Sequence, residues 1–198
     1  LIVIHIGYRG GSMFRGKNFY NFGYGNLRDY PLADCKFAIE QLADRYAYID
    51  RDRVGIYGHS GGGMMAAAAI LTYPDFFKVA VAASGNYDNN IYTKWWGEMY
   101  HGVKMKVKKD ADGIKKYIFE SKIPTIMELA ANLKGKLLLV TGDMDINVHP
   151  ANTFRLANAL IKADKLFDMM VIPGADHSID SPYYFNLLRH YFAEHLLG

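Results

Sequence analysis

A single cysteine occurs in 198 residues. Cys35 alone cannot build a disulfide framework or a thiolate metal site. Its place in the helical stretch "DCKFAIEQLADRY" reads as that of a buried, inert thiol. No run of about 18 uninterrupted apolar residues occurs, which excludes a membrane-spanning helix. Charge of one sign is also scarce. Lys and Arg number 23 against 20 Asp and Glu, a formal net charge of +3, too balanced to point to nucleic acid. The one basic run, "KMKVKKDADGIKK" from Lys104 to Lys116, reads as the solvated face of a helix. Internal repeats and low-complexity segments are absent, and no residue marks a compartment. What remains is a chain of one-domain size with 51% hydrophobic residues, enough for a sizeable core.

The chain opens without Met and without a charged, cleavable leader. "LIVIHIG" (Leu1 to Gly7) already reads as the middle of a buried strand, with His5 a hydrogen-bonded core residue. The expectation is a C-terminal piece of something longer. After a Gly- and aromatic-rich loop, "PLADCKFAIEQLADRYAYI" places Phe37, Ile39, Leu42, Ala43 and Tyr46 at helical spacing. Short apolar runs then alternate with helices. The strands are "DRDRVGIYG", "FKVAVAASG", "GKLLLVTGD" and "FDMMVIPG". The helices are "GGMMAAAAILTYP", "ANTFRLANALIKADK" and "YYFNLLRHYFAEHLL". This rhythm predicts an α/β domain over 1–198, a mostly parallel sheet with helices on both faces. The stretch 86–133 breaks the rhythm and reads as a largely helical insertion. Tyr183, Tyr184, Phe185, Leu187, Leu188, Tyr191 and Phe192 on the last helix offer apolar surface for the core or for a homodimer contact.

"Gly58-His59-Ser60-Gly61-Gly62" fits G-x-S-x-G between a predicted strand and a predicted helix, the setting of a nucleophile elbow. A sharp strand-to-helix turn strains the central residue and leaves no room for bulky neighbours. It exposes the Ser60 hydroxyl above the sheet and aims the Gly61 N–H at an incoming carbonyl oxygen. Such a serine needs a base, itself oriented by a carboxylate. Asp143 and Asp145 lie just past one buried strand, and His177 just past the next. His177 is the candidate base, and the chain order Ser, Asp, His is that of the α/β-hydrolases. His59, adjacent to the serine, points elsewhere and reads as packing. His149, before Pro150 at a helix entrance, reads as structural, and His101, His190 and His195 as peripheral. "DMDINVHPANTF" begins like a calcium loop, but its sixth and twelfth positions are Val148 and Phe154 rather than Gly and Glu. "GYRGG" lacks dinucleotide-binding spacing. No metal and no cofactor are expected.

Four segments, "YRGGSMFRG", "IDRDRVGIYGHSGGG", "GDMDINVHPANTFRLANALIKA" and "IPGADHSI", give the chain its resemblance. It resembles the catalytic domain of the prolyl oligopeptidase family of serine peptidases, in the dipeptidyl peptidase IV-like branch. The resemblance implies an α/β-hydrolase fold, truncated at its N-terminus, and a triad of Ser60, Asp145 and His177. It leaves Asp143 to cap its loop or stay solvated. Asn147 would hold a substrate backbone carbonyl, or else serve an Asx-type turn. Tyr87, Tyr92 and Trp95, with Trp96, would line the pocket for a proline side chain. One oxyanion donor would be the Gly61 N–H, and the second a tyrosine upstream of Leu1. The branch commonly reads "GWSYGG" where this chain has "GHSGGG", so the aromatic residue after the nucleophile is absent. The implied activity is release of dipeptides from peptides with proline or a small penultimate residue. An N-terminal propeller domain and a secreted or periplasmic location are implied with it. An esterase on the same fold and a non-catalytic binding domain are the rival readings.

Overall fold

A computed structural model describes residues 1–120 and 122–197. In chain order the elements are α1 (Lys17–Tyr20), α2 (Leu32–Arg45), β1 (Val54–His59), α3 (Gly61–Thr72), β2 (Phe77–Ala83), α4 (Lys94–Tyr100), β3 (Lys104–Lys109), β4 (Lys115–Glu120), β5 (Lys136–Gly142), α5 (Ala151–Lys162), β6 (Asp168–Ile172) and α6 (Pro182–Phe192), with short 3-10 turns between. Four of the strands form a parallel sheet in the order β1-β2-β5-β6.

Both faces of that sheet are covered, as the alternating apolar runs require. On one face Ala80, Ala82, Leu137 and Leu139 meet α3 and α5. On the other, Val79, Val81, Leu138 and Val140 meet Tyr184, Tyr191 and Phe192 of α6. Helix α3 has no polar stripe because it has no wet side; Ala66 through Leu71 are fully buried. Small residues there let the helix approach closely, and a Cβ on Gly63 would sit 2.3 Å from the Ala83 carbonyl oxygen. Helix α5 keeps the amphipathic pattern read from its sequence and buries Leu156 and Leu160. Helix α6 starts cleanly, because the Ser181 side chain accepts from the Tyr184 N–H and Pro182 needs no partner there.

Several expectations are corrected. The run Leu1 to Gly7 is not a buried strand. It pairs with no strand among the described residues, Leu1 and Val3 are 69% and 74% exposed, and His5 is exposed with them. Apolar side chains favour a strand only where a hydrogen-bonded neighbour completes the ladder. Between this run and the outer edge of β1 lies an apolar cavity of about 960 Å³ that Leu1 through Ile6 and Val54 through Tyr57 line.

The stretch 86–133 is not mainly helical. It holds α4, the antiparallel hairpin β3–β4 and a 3-10 turn. "KMKVKK" alternates Lys with apolar residues, so its period is two. Met105 pairs with Phe119 and Val107 with Tyr117, which gathers apolar side chains on one face. The Asp110 carboxylate accepts from the Asp112 and Ile114 N–H groups, and Gly113 takes the positive φ of 80° that the turn needs. The lysine count concealed that alternation.

Phe37 and Tyr46 of the α2 pattern are also exposed, because only part of α2 is covered by the rest of the described chain. His101, by contrast, is not peripheral. It is buried, its Nδ1 accepts from the Leu27 N–H at 3.5 Å, and burial first, with Lys104 second, lowers its pKa.

Candidate active site

The carboxyl edge of the sheet gathers the reactive side chains. Ser60 follows β1 directly and caps α3 in a strained backbone conformation, φ 58° and ψ −125°, that few residues other than glycine adopt. Its N–H donates to the Ala83 carbonyl at 2.8 Å and its carbonyl accepts from the Met64 N–H at 3.0 Å, so strand and helix both grip the bend. The steric demand falls on Gly58, where a Cβ would lie 2.2 Å from the Gly62 carbonyl oxygen. Gly61 and Gly62 have open space at that position. The second glycine of the G-x-S-x-G pattern is therefore not sterically needed, whereas Gly58 and Gly63 are. Gly61 opens α3, where its N–H has no acceptor within the helix.

Two loops bring partners to Ser60. Asp145 follows β5 and is 1% exposed. Its Oδ1 accepts from the Asn147 and Val148 N–H groups at 2.9 and 2.8 Å, and its Oδ2 faces His177 Nδ1 at 2.8 Å. An ionised carboxylate can only accept, so Nδ1 carries the hydrogen. That leaves Nε2, 3.0 Å from Ser60 Oγ, as the acceptor for the hydroxyl proton. A serine hydroxyl, an imidazole and a buried carboxylate thus form one hydrogen-bonded line, the arrangement in which a base activates a nucleophile and an acid fixes the tautomer. Asp143 stands outside that line and holds the same loop, since its Oδ1 accepts from the Gly174 N–H at 2.6 Å.

The Asx turn belongs to Asp145, not to Asn147. The Asn147 side chain instead accepts at Oδ1 from the Tyr92 hydroxyl at 2.8 Å, which leaves its NH₂ pointing away as a donor. Tyr92 packs edge-on to Trp96, with ring centroids 5.7 Å apart, and Trp96 lies 5.0 Å from Tyr100. Tyr87 does not join this wall. It is 1% exposed, donates to the Ala82 carbonyl at 2.9 Å, and burial raises its pKa. Tyr87 is a core residue and does not line the substrate pocket expected of it. Trp95, 61% exposed, faces outward. His149 Nδ1 accepts from the Ala151 N–H at the start of α5, a structural contact.

His59 is another residue whose place the sequence does not give. It is exposed rather than packed, and its Nε2 lies 2.6 Å from the His177 carbonyl oxygen. No motif flags this contact, because the two residues are 118 positions apart. Among the described residues, no group of three His, Cys, Asp or Glu is arranged to hold a metal, and no helix is long and apolar enough to cross a membrane.

The parallel sheet, its helices on both faces and the serine at the strand-to-helix elbow define an α/β-hydrolase. Comparison with known proteins narrows this. The Prolyl oligopeptidase family pattern matches residues 1–196. Dipeptidyl peptidase 8 of Homo sapiens is 31% identical over 199 residues, covering 98% of this chain and 21% of its own length. Prolyl endopeptidase FAP of Mus musculus is 28% identical over 172 residues, 86% of this chain and 21% of its own length. The crystal structure of Porphyromonas gingivalis dipeptidyl peptidase 4 superimposes with a TM-score of 0.78 at 27% identity, over 96% of this chain and 26% of that one. The chain belongs to the prolyl oligopeptidase family. It spans about a fifth of the length of the curated relatives it matches.

Proposed function

We propose that this chain carries the catalytic site of a serine peptidase that releases N-terminal dipeptides from peptides with proline or a small residue in the penultimate position. The observation that carries the reading is the unbroken line from Ser60 Oγ through His177 to Asp145, at 3.0 and 2.8 Å. Ser60 attacks the scissile carbonyl while its proton passes to His177 Nε2. The new C–O bond gives a tetrahedral oxyanion facing the Gly61 N–H. Collapse breaks the C–N bond, and His177 returns the proton to the leaving amine. Water then attacks the acyl ester, giving its proton to His177, which restores it to Ser60 Oγ. Asp145 keeps the imidazole in the required tautomer and stabilises its charged form.

Substrate selection rests on Asn147 and the aromatic wall. With its oxygen held by Tyr92, the Asn147 NH₂ is pre-aimed to hold a substrate carbonyl. The faces of Tyr92 and Trp96 offer apolar area for a proline ring. The relatives, two dipeptidyl peptidases and a prolyl endopeptidase, support the same substrate class. In the complete protein we expect a second oxyanion donor and a propeller domain upstream of these residues, and a homodimer contact on the exposed side of α6.

Ser60→Ala in the full-length protein is the test. It should abolish both hydrolysis of a dipeptidyl-proline chromogenic amide and labelling by a fluorophosphonate. Turnover retained in that variant rejects Ser60 as nucleophile. Wild-type protein that cleaves short acyl esters but no amide makes it an esterase instead.

A further inference from the structure

The sheet order sets a problem for the site. Ser60 follows β1 and the His177 loop leaves β6, which are the two outermost strands of the order β1-β2-β5-β6. Three strand spacings of ~4.8 Å put them about 14 Å apart across the sheet. No backbone ladder joins these strands. The loop from Pro173 to Ser181 must therefore cross the carboxyl edge and be stopped where the imidazole meets the hydroxyl.

Its ends are secured. Near the start, the Gly174 N–H donates to Asp143 and the Met144 N–H donates to the Ala175 carbonyl. A Cβ on Gly142 would lie 2.2 Å from that same carbonyl, so the loop presses on the end of β5. At the other end Ile179 is 3% exposed and anchored in the α6-side core. Both anchors lie on the β5–β6 side or beneath α6, and neither is a hydrogen bond to β1.

His59 supplies the missing tie. Strand alternation puts it on the same face as Gly55 and Tyr57, the face on which Phe192 of α6 packs. The loop reaches that face on its way into α6. There the His59 Nε2 is 2.6 Å from the His177 carbonyl oxygen, and the two rings sit 4.7 Å apart at 54°. A carbonyl only accepts, so His59 donates from Nε2. Because His59 is bonded to Ser60, this one hydrogen bond ties the base's backbone to the nucleophile's own strand.

We infer that His59 is a positioning residue: it clamps the His177 backbone to the nucleophile strand and so holds the imidazole in reach of Ser60. The inference rests on the proposed serine-hydrolase reading of the site, and the hydroxyl-to-imidazole distance is what it controls. Loss of the clamp lets the loop drift while leaving substrate contacts at Asn147 and Tyr92 in place. The signature is a fall in kcat with little change in KM.

The test uses the full-length protein with His59→Phe, which keeps a ring but removes the donor, and His59→Gln, whose amide NH₂ replaces it. Measured are kcat and KM on a dipeptidyl-proline amide, the rate of fluorophosphonate labelling of Ser60, and the melting temperature. His59→Phe should lower kcat and the labelling rate roughly 10- to 100-fold, the scale of a misplaced catalytic group, at nearly constant KM and melting temperature. His59→Gln should recover most of both rates. A Phe variant as fast as wild type overturns the inference, and so does a Gln variant as slow as Phe. Wild-type protein that takes no fluorophosphonate label rejects the hydrolase reading itself, and the clamp with it.

Discussion

"FKVAVAA" and "LIVIHIG" read alike as apolar runs, yet they end in opposite surroundings. The first is β2, with Phe77 and Val79 through Ala83 buried to 1% or less. The second is exposed along most of its length and joins no strand among the described residues. Composition does not separate them. Strand β2 has β1 on one side, β5 on the other, α3 above and α6 below, so both its ladders and both its faces are complete. Leu1 to Gly7 has a cavity where a neighbour would be. Burial is thus a property of the partners a run finds, and the site follows the same rule. Ser60 is held because β2 accepts its N–H at Ala83 and α3 receives its carbonyl.

The contrast can be broken or sharpened by substitution. The largest effect should come from Phe77→Ala in β2. It empties a fully enclosed site and should cost about 3–5 kcal/mol in urea unfolding. An unfolding midpoint equal to wild type would show that β2 is no better covered than the first seven residues. Next, Gly58→Ala drives a methyl into the Gly62 backbone and should cost about 1–3 kcal/mol, together with most of the fluorophosphonate labelling of Ser60. Gly62→Ala, with open space at the same distance along the motif, should keep that labelling.

A smaller effect is expected on acidification. Burial holds the His101 pKa below its ordinary value of about 6.5, so the unfolded chain takes up the proton first. The stability of the neutral, buried imidazole is therefore present above about pH 6.5 and is lost as pH falls through the lower folded value. Melting between pH 8 and 5 should show this loss in the wild type and a shallower one in His101→Gln. The smallest change should be Val3→Ala in this 198-residue chain, within about 0.5 kcal/mol as for other exposed sites. A cost near 2 kcal/mol for the same substitution in the full-length protein would show that a further segment covers the run there.

Much was legible beforehand, for identifiable reasons. The four parallel strands and helix α3 were readable as short apolar or small-residue runs bounded by turns, and helices α5 and α6 by a helical period that is local. Ser60 and His177 stood out through chain order and through their places just past buried strands, which narrowed the acid to Asp143 or Asp145, and the family resemblance chose Asp145. The hairpin β3–β4 was misjudged as helix because charge was weighed above period: Lys104, Lys106 and Lys108 alternate with Met105 and Val107. Tyr87 was misassigned because its sequence position, four residues past β2, does not say that the chain turns its ring back under the Ala82 carbonyl. Asn147 was placed near the substrate by resemblance, but its contact with Tyr92, 55 residues away, had no sequence signal at all.

By itself the sequence determined the four parallel strands and the helices that cover them, which are written in short-range spacing, and it offered Ser60, His177 and, by family resemblance, Asp145 as the candidate reactive side chains. Only the tertiary structure decided that Leu1 to Gly7 pairs with no strand among the described residues, that Asp143 and His59 hold the His177 loop, and that Tyr92 orients Asn147. The reason is geometric: each of these depends on distances between residues far apart in the chain, and such distances exist only once the sheet order is set.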